Sequence, residues 1–142
     1  MIINNINDTK SFAEDLAKNT NAGTTYGLIG DLAAGKTTFT KYFINYFIED
    51  IEVISPTFNI VKTYNLDDAN IKYINHFDVY RLKNDDELIE IGFYDYISDQ
   101  YSVNIVEWAD MIKDKLPDNT IFIEFKYYNK DINKREILID GK

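Results

Sequence analysis

The segment Gly30-Asp31-Leu32-Ala33-Ala34-Gly35-Lys36-Thr37-Thr38 constrains this chain more than any other. It fits the pattern G-x-x-x-x-G-K-[S/T], which wraps a phosphate chain in backbone N–H groups. Such a wrap needs a turn that no Cβ obstructs, and Gly30 and Gly35 supply that freedom. A helix starting near Lys36 directs unpaired N–H groups and its positive dipole end at the same anion. The Lys36 ammonium is then placed to bridge the β- and γ-phosphates, and the Thr37 hydroxyl to ligate Mg²⁺. Chance alone produces the pattern in roughly one in 200 chains of this size, so context must decide. A short apolar strand over residues 24–29 runs into the loop. A helix follows, with Phe39, Tyr42, Phe43, Tyr46 and Phe47 at i, i+3, i+4, i+7 and i+8. The plainer alternative is a glycine-containing turn between strand and helix.

The rest of the chain reads as alternating helices and strands. Residues 7–18 form a helix with Phe12, Ala13, Leu16 and Ala17 on one face and Ser11-x-x-Glu14 as a capping box. Val53-Ile54 reads as a brief buried strand ending at Ser55-Pro56-Thr57. Residues 59–66 and 72–81 are extended around the polar turn 67–70, and 85–91 is a short helix with Gly92 past its end. Residues 103–106 form a buried strand that stops at Glu107. Ile121, Ile123, Phe125 and Tyr127 alternate along a strand whose partner is 135–139. The expected class is α/β with a mixed, partly antiparallel sheet.

Composition excludes several roles. With 142 residues the chain suits one domain, 1–142. Fifteen Lys+Arg against 24 Asp+Glu give a formal charge of -9, which disfavours a tight direct grip on nucleic acid or on an anionic membrane. No cysteine is present, so disulfides and thiolate chemistry are excluded. No apolar run approaches a membrane span, and the first residues carry no secretory pattern, so cytoplasm is the expected compartment. Arg81 and Arg135 are the only arginines beside thirteen lysines, which makes each arginine a geometric choice worth explaining.

A nucleotide-bound Mg²⁺ usually needs an acid at the end of a neighbouring buried strand. Glu107 holds that position; otherwise it merely ends a strand. In His76-Phe77-Asp78-Val79-Tyr80-Arg81, alternation puts His76, Asp78 and Tyr80 on one face. Asp78 can position water or accept its proton, whereas a lone strand histidine is more often structural. Arg81 can touch γ-phosphate charge, or form a surface salt bridge. Thr57 can report on the γ-phosphate from its loop, or simply close a Ser/Pro turn. Trp108, the single tryptophan, either shields the site or is a half-buried core aromatic.

Five stretches together resemble the TsaE (YjeE) family: GDLAAGKTTFTKYF from Gly30, SPTFNIVKTY from Ser55, HFDVYRL from His76, DELIEIGFYDY from Asp86 and NIVEWAD from Asn104. These are small bacterial ATPases of the pathway that makes N6-threonylcarbamoyladenosine (t6A) on tRNAs reading ANN codons. The resemblance implies a three-layer P-loop NTPase-like fold that takes ATP and Mg²⁺. Lys36 and the loop from Gly30 through Asp31, Leu32, Ala33, Ala34 and Gly35 to Thr38 would lie on the phosphates, with Thr37 and Glu107 around the metal. Thr57 would be a switch residue, and Asp78 would assist hydrolysis. The family's loop commonly has glycine where this chain has Ala33; at positive φ an alanine there costs about 1–2 kcal/mol. The resemblance also implies TsaD and TsaB as partners, with the modification chemistry on TsaD. Two other uses of the loop remain open: a small-molecule kinase, for which two arginines leave little lid, and a nucleotide-gated binding module without essential hydrolysis.

Overall fold

Four apolar runs, suited to burial on both faces, form the parallel centre of a seven-stranded sheet. The computed structural model describes residues 1–31, 34–56, 58–128 and 131–141. In chain order the elements are β1 (Ile2–Ile3), α1 (Ile6–Lys18), β2 (Thr25–Ile29), α2 (Lys36–Phe47), β3 (Val61–Asn65) and β4 (Tyr73–Asp78). They continue with α3 (Asp86–Glu90), α4 (Phe93–Ser98), β5 (Ser102–Glu107), a 3-10 segment Ala109–Lys115, β6 (Ile121–Tyr128) and β7 (Asp131–Gly141). The sheet order is β1-β7-β6-β2-β5-β4-β3, with β6, β2, β5 and β4 parallel and β3, β7 and β1 antiparallel at the edges. The expected mixed α/β architecture is therefore present.

Strand alternation divides the apolar side chains between two cores. Helices α1 and α2 cover one face, where Phe12, Phe39 and Phe43 pack on Leu28, Ile105 and Ile123. On the other face α3, α4 and the 3-10 segment bury Leu88, Phe93 and Ile112 against Phe77, Val106 and Phe122. Full burial of each such side chain contributes about 1.5–3 kcal/mol. This is the three-layer arrangement expected.

Several local expectations are corrected. Helix α1 begins earlier than expected, with Asn5 as its cap: Asn5 Oδ1 accepts the Asp8 N–H at 3.0 Å, and Asp8 Oδ2 accepts the Asn4 N–H at 3.0 Å. Asn5 thus takes the capping role expected of Ser11, and Asp8 ties down the preceding Asn4, because the helix already begins at Ile6. Val53-Ile54 forms no strand; β4 occupies the place beside β5, Val53 only packs on the α1/α2 core, and Ile54 is 64% exposed. Strand β4 ends at Asp78, so Tyr80 lies beyond it. In the turn between β3 and β4, Asp68 Oδ2 accepts the N–H groups of Asn70 and Ile71, each at 2.9 Å. These bonds hold the Asp68 carboxyl below its ordinary value.

Candidate functional site

Parallel pairing brings the carboxyl ends of β2, β4 and β5 to one edge, where ligands of open α/β sheets bind. Asp78 and Glu107 are register partners, and Leu28 pairs with Glu107 one residue before β2 ends. The chain leaves β2 into the loop and turns into α2 at Gly35. Gly30 has φ 153°, and a Cβ there would sit 2.7 Å from the Phe125 carbonyl oxygen. Gly35 caps α2 at φ 113° and itself brings no capping side chain to the helix start. Both positions thus need glycine, as expected, and the first turn of α2 keeps backbone donors for an anion. Leu32, Ala33 and Thr57 lie outside the described residues.

A cavity of about 340 Å³ opens here, lined by Gly35, Lys36, Thr37, Thr38, Ser55, Asp78, Glu107 and Trp108. The structure thus brings together Lys36, Thr37, Thr38, Asp78 and Glu107 from three separate segments. A larger hollow of about 660 Å³ is bounded by α1, α2 and residues 49–53. No strand end contributes to it, and its charges include the self-paired Lys10 and Glu14 at 3.9 Å. The smaller cavity is the candidate site.

Glu107 organises the floor. Its Oε1 accepts the Thr37 hydroxyl at 2.9 Å, and its Oε2 accepts from His76 Nε2 at 2.5 Å. His76 is fully buried, and its Nδ1 has no hydrogen-bond partner among the described residues. The histidine's structural role, holding the carboxylate, therefore serves the site directly. Asp78 is fixed at both oxygens: Oδ2 accepts the Ser55 hydroxyl at 2.8 Å and Oδ1 the Tyr80 N–H at 3.0 Å. Its own N–H donates to the carbonyl of Ile60, a β-branched residue at φ 67°. The segment after the helix is thereby tied to Asp78 twice, by Ser55 at the carboxylate and by the strained Ile60 at the backbone.

Lys36 is only 5% exposed, donates to the carbonyls of Gly30 and Asp31, and lies 4.0 Å above the Trp108 ring. Burial pushes its pKa down, opposed by the charges of Glu107, Asp110, Asp78 and Asp31. Trp108 takes a left-handed conformation, φ 62°, directly after β5, and its other neighbour is the Tyr80 ring at 4.5 Å. It covers the lysine and is also half-buried against the second core, so both sequence readings are met. Arg81 is exposed, with its guanidinium 5.7 Å from the Phe58 ring.

The donor set suits Mg²⁺ bound with a phosphate chain. Thr37 and Glu107 offer hard oxygens side by side, and that ion typically takes one or two protein oxygens and completes its shell with phosphates and water. Among the described residues no three acidic or imidazole groups converge on a point, so an all-protein cage is absent. Four carboxylates around one lysine also leave the site net negative, which favours a cation arriving with a polyanion.

The sequence model for "Threonylcarbamoyl adenosine biosynthesis protein TsaE" matches residues 3–137. The chain belongs to the TsaE family. Among its relatives is the tRNA threonylcarbamoyladenosine biosynthesis protein TsaE of Rickettsia bellii, 36% identical over 92% of this chain and 88% of that one. The protein of that name from Bacillus subtilis is 38% identical over 94% of this chain and 79% of its own length. A crystal structure of Bacillus subtilis YdiB superposes with a TM-score of 0.79 at 32% identity, covering 99% of this chain and 83% of that one. No helix among the described residues is long and apolar enough to cross a membrane.

Three contacts of this TsaE-family site were not legible as pairs in the sequence: Ser55 with Asp78, His76 with Glu107, and Lys36 with Trp108. Each joins segments that only sheet topology brings together. The available signals were the shared strand face of His76 and Asp78, and the adjacency of Trp108 to Glu107.

Proposed function

We propose that the loop from Gly30 to Thr38 binds ATP with Mg²⁺, and that the protein hydrolyses it slowly in support of t6A formation on tRNA. The observation that carries this reading is the Thr37–Glu107 hydrogen bond, which puts a metal-ligand pair at the mouth of a glycine-framed helix start. Lys36 exchanges the carbonyls of Gly30 and Asp31 for phosphate oxygens when nucleotide enters. Thr37 and Glu107 would hold Mg²⁺, which would supply charge neutralisation at the phosphates. Asp78, oriented by Ser55 and Tyr80, positions the attacking water. Thr57 would sense the γ-phosphate, and Arg81 would contact its charge.

The charge of -9 makes the protein a poor tRNA holder by itself, so it works in the cytoplasm through TsaD and TsaB, on which tRNA is bound. ATP hydrolysis measured with and without purified TsaB and TsaD, followed by t6A analysis of tRNA, tests this. Slow basal turnover raised by the partners is expected, with t6A lost on depletion. Unchanged t6A would remove the reading, and phosphate transfer to a nucleoside or sugar would replace it with a kinase.

A further inference from the structure

Arg135 is one of two arginines in a lysine-rich chain, and no role at the site has yet fallen to it. It lies on β7, directly opposite Tyr127 on β6. That register stacks the guanidinium on the tyrosine ring, with Cζ 4.1 Å from its centroid. From there Nε donates to the Ala34 carbonyl at 3.1 Å, and Nη1 to the Lys134 carbonyl at 3.0 Å. Ala34 belongs to the phosphate loop and is 1% exposed. The same hairpin backs the loop at Gly30, whose absent side chain leaves room for the Phe125 carbonyl.

We infer that Arg135 is a positioning residue for the phosphate loop, aiming the Gly35 N–H at the anion from behind; this rests on the nucleotide-binding reading above. Across a trans peptide, the carbonyl of one residue and the N–H of the next point in opposite directions. The Ala34 carbonyl is held toward Arg135 on the hairpin side, so the Gly35 N–H is held toward the cavity that Gly35 lines. Orienting that donor before the ligand arrives removes an ordering cost from binding. Arginine suits the task because its planar group sits over the Tyr127 ring while its Nε–H donates to Ala34; a lysine ammonium does not combine the two.

The test compares ATP binding, with Mg²⁺ present, by the wild-type chain, Arg135→Ala and Arg135→Lys, each checked for folding by circular dichroism and thermal melting. Arg135→Ala is expected to weaken ATP about tenfold, and Arg135→Lys by nearly as much, at temperatures well below either melt. A lysine variant that binds like wild type would mean charge alone suffices and would overturn the inference. So would a lowered melting temperature with unchanged affinity, the mark of an arginine that merely ties down the hairpin. If Arg135→Ala does not fold, Arg135→Lys decides on the same criteria. Wild-type protein that binds no ATP would count against the nucleotide-binding reading, whereas normal wild-type binding matched by both variants would count against the role of Arg135 alone.

Discussion

Replacing His76 by alanine probes the carboxylate that the whole site is arranged around. His76 is 0% and Glu107 2% exposed, and their hydrogen bond is 2.5 Å long. Without the imidazole, Glu107 Oε2 is left in a dry interior lacking that donor, and a cavity opens beside β5. Removing one member of such a buried pair costs about 3–5 kcal/mol. For a chain of this size each kcal/mol moves the melting temperature by roughly 3–4 °C, so a fall of about 10–20 °C is expected. His76→Gln separates hydrogen bonding from volume. Its amide N–H₂ reaches about as far as Nε2, and the Nδ1 it lacks makes no bond among the described residues. It should therefore recover stability to within about 2 kcal/mol of wild type. The assay is thermal and urea denaturation followed by circular dichroism without nucleotide. His76→Ala lying within about 1 kcal/mol of wild type, or His76→Gln no better than alanine, would refute the reasoning.

Other expectations follow from the same geometry. Lys36 has a folded-state pKa below its ordinary 10.5, so the unfolded chain holds that proton more tightly. The charged lysine therefore detracts from stability at neutral pH, and the loss is relieved as pH rises through the lowered pKa toward 10.5. Lys36→Met should melt higher than wild type at pH 7, with a gap that narrows as pH rises; thermal melts across that range would show a widening gap if this is wrong. Gly30→Ala should destabilise more than Gly35→Ala, since the first adds a 2.7 Å contact with the Phe125 carbonyl and the second has 3.7 Å to the Phe125 ring. The backbone conformation alone accounts for about 1–3 kcal/mol at Gly35, and equal losses in denaturant titrations would contradict the difference. Chelating Mg²⁺ should weaken ATP binding at least about tenfold, because the triphosphate then meets four carboxylates with only Lys36 to offset them; calorimetric affinity unchanged by EDTA would argue against Thr37 and Glu107 as ligands.

The elements legible in the sequence were those with a strong period or a fixed chemical pattern. The phosphate loop, the aromatic face of α2, the apolar run of β5 and the alternation of β6 all reflect local requirements. Phe39 and Phe43 are buried as that face demands, although Tyr46 is 45% exposed because the covered stripe is narrower than the aromatic one. Val53-Ile54 reads as a strand on apolarity alone, whereas the place beside β5 is taken by β4. Helix α4 follows α3 after only Ile91 and Gly92, too short a spacing for a separate period to register. At the site, Lys36, Thr37, Asp78 and Glu107 were each visible as candidates. Their contacts were not, since His76 and Trp108 reach them across parallel strands and Ser55 from a loop that only the fold brings to β4.

Trp108 supplies the most direct test of the central claim, because the only tryptophan lies 4.0 Å from the Lys36 ammonium. Its emission can be followed while ATP and Mg²⁺ are added to wild-type protein and to Lys36→Ala. A saturable change in wild type, absent or shifted to far higher nucleotide in the variant, is the predicted result. No change in wild type, or the same saturation curve for both proteins, would contradict a nucleotide site at this loop.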